Sequence, residues 1–320
     1  MFPWLGADLQ TLRNYLTPGG WDLAPWPTER LWFSADDGSD DRLQGVLHLQ
    51  GEGAVVVLLH GLTGCEESFY VLETARFLLS KGLNVLRLNL RGAGPSRSTC
   101  EGHYCAGSSA DLAAVLRHLP TALDGRPLTL VGYSLGGNVV LKFLAEHGAG
   151  GRVSCGIAVS PPIDLAAAST SMMAGRNTIY HRWLLKRMAV EAGAGAALLS
   201  PAERSAIAGA RTVYEFDDRF VAPRNGFAGA DDYYARCSAL GMLHNIETPA
   251  LLIHARNDPW IPAHSFENLD VAGMANVDLA LVGGGGHVGF HGRGSATPWH
   301  NTCIYTYLRS NLAPTAPLDR

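Results

Sequence analysis

The chain's sharpest chemical feature is a serine flanked by glycines, Gly132-Tyr133-Ser134-Leu135-Gly136. A hydroxyl is a weak nucleophile near neutral pH, so it needs a base beside it and a third group to orient that base. His287, in Gly283-Gly-Gly-Gly-His287-Val-Gly289, fits the base, and Asp258, in Ala255-Arg-Asn-Asp258-Pro259, fits the orienting acid. The interval from 258 to 287 has room for one helix and one strand. Asp164, in Ser160-Pro-Pro-Ile-Asp164, is a second candidate for the acid, with Asp258 preferred. Such a row passes the serine proton to the imidazole as the oxygen attacks a carbonyl, then returns it to the leaving group. The carbonyl oxygen gains charge on attack and needs backbone N–H groups aimed at it. Leu135, directly after the serine, is placed to supply one. Leu62, in His60-Gly61-Leu62-Thr63-Gly64, is placed to supply the other, and His60 reads as a structural support for that loop.

These residues act together only if the chain brings them to one edge of a sheet. Residues 31–37 and 45–50 read as an opening hairpin. Residues 54–59 form a continuous apolar run, as expected of a strand buried on both faces. Strands are expected next at 85–90, 128–133 and 156–160, with helices following residue 70 and over 108–119 and 136–147. That alternation predicts an α/β fold with a mostly parallel, doubly wound sheet. The serine then falls at the turn from a strand into a helix, where small neighbours let the backbone approach itself. The rhythm breaks over about 164–245, read as a helical cap inserted into a single domain spanning 1–320, with a polar loop around 215–235. Strands resume at 250–255 and 277–282, and a last helix covers about 298–311. Insertions of this kind sit over the carboxyl ends of strands, where ligands bind.

The segments quoted above, together with Asp8-Leu-Gln-Thr-Leu12, Asn89-Leu-Arg-Gly-Ala-Gly94, Asn138, Phe216-Asp-Asp-Arg-Phe-Val-Ala-Pro223, Asp232-Tyr-Tyr234 and Phe290, give the chain a resemblance from end to end. It resembles the α/β-hydrolases, and within them the YheT-like branch. The resemblance implies the α/β-hydrolase fold and a Ser134, Asp258, His287 triad. It also implies carboxylesterase activity on short- to medium-chain acyl esters, some members being similar to phospholipases. A serine at the nucleophile position argues against the dehalogenases and epoxide hydrolases of this fold, which need a carboxylate there. Thioesterase, acyltransferase and amidase are rival chemistries on the same scaffold, and a non-catalytic binding protein is the rival outside it.

Other segments bound the reading. His287 and His291 share the H-x-x-x-H spacing of a zinc helix, but Gly289 and the missing glutamate argue against one. Asp217-Asp218-Arg219 and Asp231-Asp232 are read as charges that pair with one another. Neither a cofactor nor a metal is expected, and the Asn89–Gly94 segment reads as a tight turn. A formal charge of -4 leaves no footprint for nucleic acid. The amino end lacks the pattern of a secretory signal, no run is long enough to span a bilayer, and a cytoplasmic setting is expected. Peripheral membrane contact through Phe2, Trp4 and Leu5 is left open, as is the oligomeric state. Glycine is abundant, 37 in 320 residues against an average of about 7 %. Many of these glycines fall in the motifs above. The expected partner is a small ester or lipid-like substrate, with Met172, Met173, Ile179, Tyr180, Trp183, Leu184 and Leu185 of the cap as candidates to line an acyl pocket.

Overall fold

The computed structural model describes residues 6–16, 21–148, 151–194 and 199–312. Phe2, Trp4 and Leu5 lie outside them. A helix not anticipated from the sequence, α1 (Ala7–Leu16), comes first. An eight-stranded sheet follows, in the order β1-β2-β4-β3-β5-β6-β7-β8. β1 (Glu29–Ser34), β2 (Arg42–His48) and β4 (Asn84–Leu88) pair antiparallel at one edge. β3 (Val55–Leu59), β5 (Leu128–Tyr133), β6 (Val153–Val159), β7 (Ala250–Ala255) and β8 (Val277–Val282) continue in parallel from β4.

Helices cover both faces, which is why the central strands carry no polar alternation. All five residues of β3 are fully buried. Val55, Val57 and Leu59 join the core on the face covered by α3 (Ser109–Arg117) and α4 (Leu135–His147). Val56 and Leu58 join the core under α2 (Phe69–Leu79) and the last helix of the chain. Each such side chain contributes roughly 1.5–3 kcal/mol through burial. The loops that must act sit at the carboxyl ends of these strands, so the buried core is the platform of the site.

Between β6 and β7 the described residues hold no strand. α5 (Leu165–Met173), α6 (Thr178–Gly193) and α7 (Pro201–Gly209) lead into the stretch expected to be a polar loop. It is helical instead: α8 (Val213–Phe216), a π turn (Asp217–Val221), α9 (Ala222–Arg224) and α10 (Ala230–Cys237). The polar residues were misleading because they tie helices together. Thr212 caps α8 by accepting from the Glu215 N–H at 3.0 Å. Asp218 accepts from the Ala230 N–H at 3.0 Å, and the Tyr214 hydroxyl donates to Asp231 at 3.1 Å. Asp217, Asp218 and Asp231 thus bond to amides and tyrosines, while Asp232 pairs with Arg236 at 3.4 Å and Arg219 with Glu215 at 3.9 Å. The charges fix the shape of the segment as expected, but their partners lie outside the runs 217–219 and 231–232. α11 (His264–Glu267) and α12 (Trp299–Asn311) complete the chain. No helix among the described residues is long and apolar enough to cross a membrane.

Asn138, one turn into α4, fastens the insertion to this platform. Its amide donates to the carbonyls of Ala106 at 3.0 Å and Cys237 at 2.8 Å, and its oxygen accepts from the Ala239 N–H at 3.0 Å. Asn138 is fully buried. Replacing it strands three backbone groups away from water. We expect Asn138→Ala to lose about 3–5 kcal/mol of unfolding free energy in urea titration, with a loss below about 1 kcal/mol contradicting this account.

Candidate active site

Ser134 sits between β5 and α4 with φ 49° and ψ −121°, a conformation that a side-chain-bearing residue adopts only under constraint. The constraint is backbone packed on backbone. A Cβ on Gly132 would lie 2.2 Å from the Gly136 carbonyl oxygen, and one on Gly136 would lie 2.3 Å from that of His60. No residue larger than glycine fits either place, which explains the flanking residues of the motif. The serine N–H donates to the Val159 carbonyl at 2.8 Å, pinning the turn to β6.

β7 and β8 bring the other two candidates to the same edge. His287 Nε2 lies 3.0 Å from Ser134 Oγ, and its Nδ1 lies 2.8 Å from Asp258 Oδ2. The other oxygen of Asp258 accepts from the N–H groups of Trp260 at 2.8 Å and Ile261 at 3.0 Å. Burial pushes the Asp258 carboxyl up, but the His287 ring, the His254 ring and the Ile261 amide outweigh it and hold the group below its ordinary value. The carboxylate is thus ionised and fully satisfied, with one oxygen committed to the imidazole. The second candidate acid, Asp164, instead caps α5 by accepting from the Ala167 N–H at 3.0 Å. His254 is buried in β7, its ring stacked 3.9 Å from that of Phe266.

Several residues that orient His287 had no local signal. The Asn257 side-chain oxygen accepts from the Gly285 and Gly286 N–H groups, both at 3.0 Å, tying the aspartate loop to the histidine loop. Trp260 packs its ring 4.4 Å from the imidazole. The His287 N–H donates to the Thr11 hydroxyl at 2.9 Å, and Gln10 brackets the backbone of His291 with a bond at each end. His291 itself turns to Arg13 of α1. The two histidines of the H-x-x-x-H spacing therefore serve different partners.

Leu62 and Leu135 both border the cavity beside Ser134. Among the described residues neither N–H donates to another group. His60 is fully buried, with Nε2 accepting from the Leu90 N–H at 3.1 Å and Nδ1 bonded to the Gly61 carbonyl at 2.7 Å. Thr63 next to Leu62 is held at φ 57°. Its N–H donates to the Tyr104 hydroxyl at 2.8 Å, and its carbonyl accepts from Arg187 of α6 at 2.8 Å. Arg91, from the tight-turn segment, bonds to Asp37, Asp41 and Asp111, a structural use.

The cavity encloses about 140 Å³ and is largely apolar. Of the seven cap residues named as candidates to line it, Met172, Trp183 and Leu184 do so. Met173, Ile179, Tyr180 and Leu185 are not on its wall; Ile179 is 83% exposed, while Tyr180 and Leu185 pack on the core. Met188, Phe216 and Val221 join the lining, as do two acids, the buried Asp217 and the partly buried Glu191.

A family model described as the alpha/beta hydrolase fold matches residues 54–293. The chain belongs to the alpha/beta hydrolase family. It is 33% identical over 262 residues to YheT of Escherichia coli (strain K12), covering 80% of this chain and 77% of that protein. Against the phospholipase ABHD3 of Mus musculus it is 27% identical over 261 residues, covering 78% of this chain and 60% of that protein. The monoacylglycerol lipase of Saccharomyces cerevisiae is 26% identical over 270 residues, covering 80% of this chain and 59% of that protein. This chain thus spans about three-fifths of the length of the latter two. Among solved structures, the Pyrococcus furiosus esterase Pf2001 matches with a TM-score of 0.63 at 19% identity, covering 93% of this chain and 98% of that one, a likeness of fold. The motif-based resemblance to the alpha/beta hydrolases therefore holds.

In this alpha/beta hydrolase the buried Asp217 has a consequence for stability. Burial pushes the Asp217 carboxyl up to about 7, against the opposing bond donated by Tyr234 at 2.7 Å. The folded state therefore keeps a proton that the unfolded chain releases near the ordinary value of 3.8. The stability that this proton confers is full below that value and is lost as pH rises through about 7. An asparagine keeps the shape without ionising. We expect Asp217→Asn to melt above the natural protein at about pH 8, with the gap narrowing or reversing at about pH 5. Melting curves that stay a constant distance apart would rule out the carboxyl as its source.

Proposed function

We propose that this alpha/beta hydrolase is a serine carboxylic-ester hydrolase acting on short- to medium-chain acyl esters. The observation that carries the reading is the hydrogen-bonded row Asp258–His287–Ser134, set in a strained turn at the mouth of an apolar cavity. Ser134 Oγ attacks the ester carbonyl while His287 Nε2 takes its proton. Asp258 keeps the remaining hydrogen on Nδ1 and stabilises the imidazolium that forms. The Leu62 and Leu135 N–H groups meet the oxygen as it becomes negative, and the amino end of α4 adds a favourable dipole. Collapse expels the alcohol with the proton returned by His287. Water then attacks the acyl-serine by the same relay and frees the acid. Every step uses side chains, amides and water alone.

The apolar wall formed by Met172, Leu184, Met188 and Phe216 supports an acyl chain as the buried portion. The names of two relatives, a phospholipase and a monoacylglycerol lipase, support a lipid ester as a second reading of the substrate. Phospholipid and thioester hydrolysis or acyl transfer would use the same row and differ in the group that leaves or accepts.

Ser134→Ala is expected to lower kcat on a p-nitrophenyl ester by about 10⁴-fold or more, since members of such a row act as a unit. It should also abolish covalent labelling by a fluorophosphonate. A purified variant that keeps a near-natural rate would refute the assignment. A series of esters from acetyl to dodecanoyl should show a rate optimum within the series. Equal rates at every length would sink the apolar-pocket reading.

A further inference from the structure

One feature of the cavity wall has no part in the ester chemistry. His103 lines the cavity, nine-tenths or more buried, with its ring stacked 4.7 Å from Tyr104. Its Nδ1 lies 3.1 Å from the Tyr104 carbonyl, which can only accept, so Nδ1 carries the ring hydrogen. Burial pushes the imidazole down to about 4, so the ring is neutral near pH 7 and Nε2 presents a lone pair. Among the described residues no donor bonds to that nitrogen. Its polar neighbour is Glu191 Oε2, at 3.9 Å. That oxygen is itself fixed by the Tyr104 hydroxyl, which donates to it at 2.7 Å. Burial raises the Glu191 carboxyl to about 7.

Two polar atoms 3.9 Å apart are too distant to bond, yet one oxygen can sit about 2.8 Å from both. A hydroxyl meets the requirements of each atom. It donates to Nε2 and accepts from the carboxyl in its protonated form, which burial favours up to about pH 7. A keto oxygen brings no proton for Nε2, and a carboxylate would face a lone pair.

We propose that His103 and Glu191 form a hydroxyl-recognition subsite, and that the portion of the ester entering this cavity carries a hydroxyl group. The inference rests on the reading of Ser134 as an ester-cleaving nucleophile, and it names the substrate class that reading leaves open. A buried acceptor left unpaired by a plain chain is the source of discrimination.

The test compares kcat/KM for p-nitrophenyl esters of plain acids with those of acids bearing a hydroxyl moved stepwise along the chain. A second arm uses monoesters of diols, which places the hydroxyl on the alcohol side. The natural protein should favour at least one hydroxylated ester over its parent on the order of tenfold or more. His103→Phe keeps the stacked ring without its nitrogens, and Glu191→Met keeps the length without a donor or a hydrogen-bonding oxygen. Both should bring that ratio towards one, with fluorophosphonate labelling of Ser134 and a thermal melt reporting that each variant is folded. Plain esters cleaved in a Ser134-dependent way with no preference for any hydroxyl would mean that the subsite holds only water. That outcome overturns the inference and leaves the esterase reading intact. A preference that survives both variants would overturn the assignment to these residues. Failure to cleave any ester would overturn the underlying reading, and this inference with it.

Discussion

Three backbone segments meet beside Ser134 with no side chain between them. Gly132 faces the carbonyl of Gly136, Gly136 faces the carbonyl of His60, and a Cβ on Gly61 would lie 3.0 Å from that of Ser134. The contact joins the end of β3, the end of β5 and the start of α4. It forces the serine into its positive φ, and it sets the loop carrying Leu62 against the turn carrying Leu135. Six described residues with side chains share a positive φ, and five of them follow strands at this edge: Thr63 after β3, Ser134 after β5, Ser160 after β6, and Val288 and Phe290 in the loop that follows β8; the sixth, Asp36, lies in the β1–β2 hairpin. Strain of this kind costs of order 1–3 kcal/mol per residue and persists only where the surroundings over-determine it. The fully buried strands beneath supply that rigidity.

The histidine is held in a different way, by the far end of the chain. Its loop lies against α1, where the Thr11 hydroxyl receives the His287 N–H across a separation of 276 residues. The run of glycines before the ring then divides into two kinds. A Cβ on Gly286 would strike the Ala7 carbonyl at 2.5 Å and one on Gly285 would strike the Phe290 ring at 2.5 Å, while Gly283 faces open space. Gly289, beyond the ring, meets the Gln10 carbonyl in the same manner. Close packing on α1 and on Phe290 is thus what directs the imidazole, and only part of the glycine run serves it.

Features legible in the sequence are those whose cause is local. The central strands are continuous apolar runs because both faces are covered, and β5 and β8 fall where their apolar residues do. The glycines around Ser134 announce a backbone contact, and the order serine, aspartate, histidine follows the strands. α1 carries no such mark, since its value lies in Thr11 and Gln10 reaching a loop nearly three hundred residues away. Asn257 and Trp260 act through the fold in the same way. The stretch around 215–235 misled for the opposite reason. Its aspartates and tyrosines look solvated by composition, yet Asp217 and Tyr234 bond to each other out of water.

The helical insertion does more than roof the cavity. α6 places Arg187 on the Thr63 carbonyl and Glu191 on the Tyr104 hydroxyl, and that hydroxyl accepts the Thr63 N–H. Both backbone groups of Thr63, the residue after Leu62, are therefore held through α6, one directly and one through Tyr104. The same helix lines the cavity with Trp183, Leu184 and Met188. Recognition and the posture of the Leu62 loop are thus mechanically joined in one element. A substitution along α6 that reshapes the cavity also moves an anchor of that loop. Two hydrolases with the same serine, histidine and aspartate in the same register can then differ in rate as well as in selectivity once their insertions diverge. On the proposed reading, the sheet dictates which bond is attacked, and the insertion decides both what is admitted and how well the attack is supported.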